Sequence, residues 1–242
     1  MTAGYTATAK LIDHALLVPS LTWDELEAGC RLALAYDVAS VCIMPHALAR
    51  CAEMLAGSSV APSTTIGFPH GGHSTGAKVA ETLQALADGG AELDMVVNVS
   101  RVRSGHWEYV RADIRAVTEA VHAAGRKVKV IFENCWLDDA AKIRLCGICS
   151  ELGCDWVKTS TGFGTGGATP EDVALMRKHA AEQVQVKAAG GVRDLDGLLR
   201  MRDLGCTRIG TSRSREILDE LNLRLGRPPV VLADAPAAAA GY

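Results

Sequence analysis

Four ionisable residues lie inside apolar runs where a charge is costly. They are Asp94 in LDMVV, Lys129 in KVKVIF, Lys158 in WVKTS and Lys187 in VQVKAA. Strand side chains alternate between faces, so Asp94 shares a face with Val96 and Asn98, Lys129 with Ile131 and Glu133, Lys158 with Trp156 and Ser160, and Lys187 with Gln185 and Ala189. A group so placed is expensive unless it is paired or used. Burial and a neighbouring cation both disfavour the ammonium form of a lysine, and a neutral amine can attack a carbonyl. Two lysines with a carboxylate that carries a proton are therefore the parts of amine catalysis. The same residues could instead make a structural ion-pair network, or the lysines could face helices and extend to solvent. Their places on successive strands favour the catalytic reading.

Glycines supply the second signal. Gly190 and Gly191 follow one strand pattern, Gly210, Thr211 and Ser212 follow the next, and both groups lead into helices. Backbone N–H groups there could bind phosphate, although glycines after strands also simply make tight turns. The segment 162–167, GFGTGG, satisfies a dinucleotide-loop pattern, but the next strand carries Lys187 where a ribose-binding carboxylate is expected. A mobile loop over an active site is the better reading. His70 and His73, with His46, could ligate zinc, yet they lack a cysteine or carboxylate companion, and no metal is expected. Cys146 and Cys149 lie mid-helix at packing positions and read as buried thiols, as most of the eight cysteines do.

The elements that must position these residues alternate. Strand patterns cover 11–16, 40–44, 63–68, 93–97, 127–133, 155–160, 183–188 and 207–211, with helical patterns at 22–36, 75–89, 107–124, 138–152, 170–181 and 194–204 between them. Strict alternation demands parallel strands, and eight units in 242 residues point to a closed α/β barrel, a (β/α)8 TIM barrel, rather than an open sheet. The barrel is expected over 1–226 and a mobile, Pro- and Ala-rich tail over 227–242. Thr22 with Glu25 forms a capping-box pattern, Thr169 precedes Pro170 at a helix start, and Gly89, Gly125, Gly153 and Gly205 follow helix ends.

Hydrophobic residues make up 48%, enough for a sizeable core, and 25 basic against 28 acidic residues leave a net charge of -3. No basic block could follow nucleic acid, and no apolar stretch is long enough for a membrane span or a signal peptide. A cytoplasmic location is expected.

The segments LIDHALL, SVCIMP, TIGFPHG, ELDMVVNV, KVKVIFE, DWVKTSTGFG, VKAAGGVRD and RIGTS, taken in this order over residues 11 to about 221, resemble the deoxyribose-phosphate aldolase family. The resemblance implies reversible cleavage of 2-deoxyribose 5-phosphate to acetaldehyde and glyceraldehyde 3-phosphate, with Lys158 forming the Schiff base. It implies proton-transfer and pKa-setting roles for Lys187 and Asp94, and a supporting role for Lys129. Gly190, Gly191, Gly210 and Ser212 would bind phosphate, and Asp13, Cys42 and Thr159 would line the substrate pocket. A homodimer without a cofactor is implied as well. Tyr242 would fold back over the barrel mouth to move a proton. Asn134, Cys135 and Trp136 after Glu133, Ala189 in place of a frequent serine, and Arg213 in place of a second phosphate-binding serine depart from the family's usual residues. Arg213 could reach the phosphate or point to solvent. The departures leave room for another phosphorylated aldehyde as substrate; a silent phosphosugar-binding barrel is the alternative outside enzymes.

Overall fold

The computed structural model describes residues 4–232. Its eight strands are β1 (Ile12–Leu16), β2 (Ser40–Ile43), β3 (Ala61–Ile66), β4 (Glu92–Val96), β5 (Lys127–Ile131), β6 (Trp156–Lys158), β7 (Gln185–Ala189) and β8 (Cys206–Thr211). Each pairs in parallel with the next, and β8 pairs back to β1, which closes the barrel. The helices are α1 (Tyr5–Ala9), α2 (Trp23–Tyr36), α3 (Leu48–Leu55), α4 (Thr75–Ala87), α5 (Val99–Arg103), α6 (Trp107–Ala123), α7 (Asp139–Glu151), α8 (Pro170–His179), α9 (Leu195–Asp203) and α10 (Ser214–Arg224).

The expected helix signals act as their chemistry requires. Thr22 accepts from the Glu25 backbone while the Glu25 carboxylate answers the Thr22 backbone, completing the capping box of α2, and Thr169 accepts from Asp172 N to start α8. Gly89, Gly125, Gly153 and Gly205 adopt positive φ just beyond helix ends, a conformation that costs glycine least. The sequence patterns had not separated α3 and α10 as helices. α3 has only 8 residues, and neither N-cap residue makes a side-chain capping bond, so the local start signal is weak.

The apolar core lies between barrel and helices. Leu93, Met95, Val128, Val130, Val157, Val186 and Ile209 are buried in one cluster with helix residues such as Ile114, Val117, Leu145, Met176 and Leu198. The alternate strand residues are thereby turned inward, where the charges gather. All eight cysteines are free thiols, and Cys146 and Cys149 on α7 pack in this cluster. The described part of the expected tail, 227–232, stays on the barrel surface. Arg227 lies over the Tyr5 ring at 4.6 Å, and Val230 and Leu232 pack against the core. The remainder, including Tyr242, lies outside the described residues.

A buried ion pair fastens α4 and α6 to the end of β4. Lys78 Nζ donates to Asp113 Oδ2 at 2.6 Å and to the Val96 carbonyl at 2.8 Å, and Thr75 Oγ1 donates to Asp113 Oδ1 at 2.7 Å. A Cβ on Gly67 would lie 2.8 Å from Lys78 Cε, so glycine leaves the lysine its path. Asp113→Ala should strand the Lys78 ammonium without a counter-charge and lower stability by about 3–5 kcal/mol in denaturant titration. A loss below about 1 kcal/mol would show that the pair does not anchor β4.

Candidate active site

Strand register carries the four expected charges together. Asp94 pairs with Lys129 across β4 and β5, and Lys158 pairs with Lys187 across β6 and β7. Asp94 is the hub: its Oδ1 accepts from Lys129 Nζ at 2.8 Å, and its Oδ2 accepts from both Lys158 Nζ and Lys187 Nζ at 2.8 Å.

Beneath this hub is a layer of which sequence reading had singled out only Asp13, and not Glu92 or Arg208. Lys129 Nζ also lies 2.7 Å from Glu92 Oε2 and 3.6 Å from Asp13 Oδ2. Arg208 donates to both Glu92 oxygens at 2.8 and 2.9 Å and to Asp13 Oδ1 at 2.7 Å, and its guanidinium stacks 5.1 Å over the Trp156 ring. Asp13 also accepts from Ser40 Oγ at 2.7 Å and faces Lys187 Nζ at 2.5 Å. Glu92 has the strand parity of Asp94, and Arg208 that of Gly210, so period-two alternation carried a signal for both.

The ledger of charge is uneven. Four cations, Lys129, Lys158, Lys187 and Arg208, face three carboxylates, Asp13, Glu92 and Asp94. Lys158 has the weakest claim, a single carboxylate oxygen shared with Lys187. Its pKa is lowered, first by burial and further by Lys187, with Asp94 only partly opposing. For Lys187 burial also opposes the charge, but Asp13 and Asp94 together outweigh it, so its pKa is raised. Burial opposes the ammonium of Lys129 as well; Asp94, Glu92 and Asp13 reverse that and raise its pKa. For Asp94 burial favours the protonated form, yet the three lysines hold its carboxyl well below the usual range. The site thus holds an amine that gives up its proton more easily than a free lysine, a proton-bearing ammonium and an ionised carboxylate within contact distance.

A cleft of about 600 Å³ opens from this cluster to the C-terminal end of the barrel. Asp13, Cys42, Lys158 and Lys187 line its inner part. The Cys42 thiol is pushed up by burial and then by Asp94, so it stays protonated. Gly190, Gly191, Gly210, Ser212 and Arg213 line the outer part. The loop after β6 crosses the loop after β7 closely: a Cβ on Gly167 would stand 2.3 Å from the Gly190 carbonyl oxygen, so this crossing needs glycine. Arg213 pairs with Glu216 at 2.8 Å on α10 and is only partly exposed, which lies between the two options left open by its sequence position.

Thr159 does not join the cleft. Strand alternation turns it away from Lys158, and its buried hydroxyl bonds the Ala189 backbone at 3.1 and 3.2 Å. Thr161 lines the cleft instead, held through its backbone N by Glu133 Oε1 at 3.1 Å and through its hydroxyl by Glu133 Oε2. Two of the histidines weighed as zinc ligands are apart: His46 packs beside the Trp23 ring and His70 lines another cleft. Among the described residues no group of three or more His, Cys, Asp and Glu side chains is arranged to hold a metal.

An α/β barrel that presents a desolvated lysine amine beside a paired ammonium and carboxylate is built for Schiff-base chemistry on a carbonyl. The DeoC/LacD family aldolase model matches residues 8–213, and the chain belongs to that family. It is 61% identical over 226 residues to the deoxyribose-phosphate aldolase of Rhodopirellula baltica, covering 93% of this chain and 94% of that one. Among solved structures, an aldolase designated QR15 superposes with a TM-score of 0.85 at 33% identity, covering 90% of this chain and 97% of its own. The deoxyribose phosphate aldolase of Aeropyrum pernix, described as a tetramer, gives 0.83 at 28% identity, covering 90% and 92%. The chain is accordingly a carbon–carbon lyase of the aldolase class.

The Lys187 cation depresses the Lys158 pKa and competes with it for Asp94. Lys187→Met should therefore raise the Lys158 pKa, so that the rate of imine formation with a small aldehyde, which grows as the amine loses its proton, climbs at higher pH than in the wild type. A rise at unchanged or lower pH would contradict this coupling.

Proposed function

We propose that the chain cleaves 2-deoxyribose 5-phosphate reversibly to acetaldehyde and glyceraldehyde 3-phosphate, with residues 1–226 as the catalytic barrel. The observation that carries this reading is the position of Lys158, which holds one shared carboxylate oxygen and is, alone of the three interior lysines, left with a pKa that burial lowers. The names of its relatives supply the sugar.

In the cleavage direction the neutral Lys158 amine adds to the C1 aldehyde of the open-chain sugar, and loss of water gives an iminium. A base takes the C3 hydroxyl proton, the C2–C3 bond breaks, and its electron pair moves to the iminium as an enamine while glyceraldehyde 3-phosphate leaves. Protonation at C2 and hydrolysis then release acetaldehyde and restore the amine. Asp94, ionised, and Lys187, protonated, are the acceptor and donor nearest the reacting nitrogen. Lys129 and the Glu92–Arg208–Asp13 layer below keep Asp94 oriented. The phosphate would occupy the outer cleft at Gly190, Gly191, Gly210 and Ser212.

The buried, free thiols support the cytoplasm as the compartment, and among the described residues no helix is long and apolar enough to cross a membrane. A homodimer is the proposed assembly, to be read from its mass in solution.

Borohydride reduction in the presence of acetaldehyde, followed by peptide mass spectrometry, should label Lys158, and Lys158→Arg should abolish turnover while the barrel stays folded. Labelling chiefly at Lys187 would reverse the assignment. Ser212→Glu should raise KM for deoxyribose 5-phosphate at least about tenfold more than for unphosphorylated deoxyribose, because the added carboxylate would face the phosphate. Equal losses on both sugars would move the phosphate elsewhere.

A further inference from the structure

Glu133 is a buried carboxylate that the cleavage steps above do not use. It is 4% exposed, and it makes no ion pair among the described residues. A carboxylate without a counter-charge is costly to bury unless donors meet its oxygens. Here both donors come from one residue: Thr161 N donates to Oε1 at 3.1 Å, and the Thr161 hydroxyl donates to Oε2. The loop after β6 packs directly on the carboxylate, since a Cβ on Gly164 would lie 3.1 Å from Glu133 Cδ and 3.3 Å from its Oε1.

The backbone of Glu133 is held in an unfavourable region. Its φ of 58° and ψ of 63° are left-handed, and among the described residues the only other non-glycine with positive φ is Asp37. Asp37 caps the end of α2, where a short polar side chain tolerates that conformation. Glu133 instead sits between two rungs that continue the barrel ladder past β5: Phe132 N donates to the Lys158 carbonyl and Asn134 N to the Thr159 carbonyl, each at 2.9 Å. Such strain persists only where the surroundings over-determine it, and it gathers at functional sites.

The hydrogen bonds of Thr161 give this clamp a consequence. A hydroxyl has one hydrogen and two lone pairs, and a carboxylate only accepts. The hydrogen of Thr161 is therefore committed to Glu133, and one lone pair takes the Phe163 backbone N at 2.9 Å. One lone pair is left, on a residue that lines the Lys158 cleft three positions after the lysine. With its hydrogen spent, Thr161 can accept from a ligand in that cleft but cannot donate to it.

We propose that Glu133 is a positioning residue for the reaction: it holds the Thr161 hydroxyl as a pure acceptor, which receives a hydrogen bond from a hydroxyl of the sugar joined to Lys158. The proposal rests on the reading of that cleft as a sugar-phosphate site.

Two reactions of the full chain separate this role from a general support of the fold. Deuterium exchange from water into the methyl group of acetaldehyde needs Lys158 and its proton-transfer partners but brings no sugar hydroxyl. Cleavage of deoxyribose 5-phosphate needs both. Glu133→Gln keeps the shape of the side chain, but its amide cannot accept at both positions. This variant should lose about tenfold or more in kcat/KM for cleavage and keep the exchange rate within about twofold. Thr161→Val should show the same split, Thr161→Ser should cleave within about threefold of wild type, and the double variant Glu133→Gln with Thr161→Val should lose no more than either alone, because one acts through the other. The inference is overturned if exchange falls as far as cleavage, if the two losses multiply in the double variant, or if Glu133→Gln cleaves as the wild type does. Should Glu133→Gln not fold, equal cleavage by Thr161→Val and wild type overturns it. Absence of cleavage by the wild type would overturn the substrate reading and this inference with it, whereas the other outcomes strike the inference alone.

Discussion

Inside the barrel four cations compete for three carboxylates, and the reactivity of the site follows from where the shortage falls. Lys129 and Arg208 are surrounded by acceptors, and Lys187 has two carboxylates within reach. Lys158 touches one oxygen that it must share. In a medium without water to solvate an unpaired ammonium, the least compensated amine is the one that gives up its proton. Asp94 sets this difference because one of its oxygens serves Lys129 and the other serves both remaining lysines.

Such an arrangement demands a rigid frame. The parallel register fixes the heights of Asp94, Lys129, Lys158 and Lys187, since each strand is tied to both neighbours around a closed ring. The Glu92–Arg208–Asp13 layer fills the barrel below the hub and satisfies the far sides of Lys129 and Lys187, with the Trp156 ring packed against Arg208 and Lys129. Outside, the Lys78–Asp113 pair grips the Val96 carbonyl two residues beyond Asp94. The buried His14 is pushed down to about 4 by burial and lies 2.8 Å from Ser214 Oγ, where it supports the start of α10 just beyond the end of β8. Framework and chemistry are therefore not separable here: the residues that make the interior affordable also tune the amine.

Much of this was legible in the chain itself. Alternation of β-rich and helical patterns determined parallel pairing, and period-two parity gave the face-sharing neighbours of Asp94, Lys129, Lys158 and Lys187, because both depend only on local repeat lengths. The Gly190–Gly191 pair after β7, Gly210 at the end of β8 and the caps of α2 and α8 were likewise local features. The tertiary structure decided what depends on distance between strands remote in sequence: that Asp94 serves three lysines at once, that Arg208 reaches Glu92 across 116 residues, and that Thr161 rather than Thr159 faces the cleft. It alone showed that Trp136 and Phe163, carried by different loops, border one cavity. Sequence states which residues share a strand face, but a pKa is set by the sum of neighbours in space. That sum exists only once the barrel has closed.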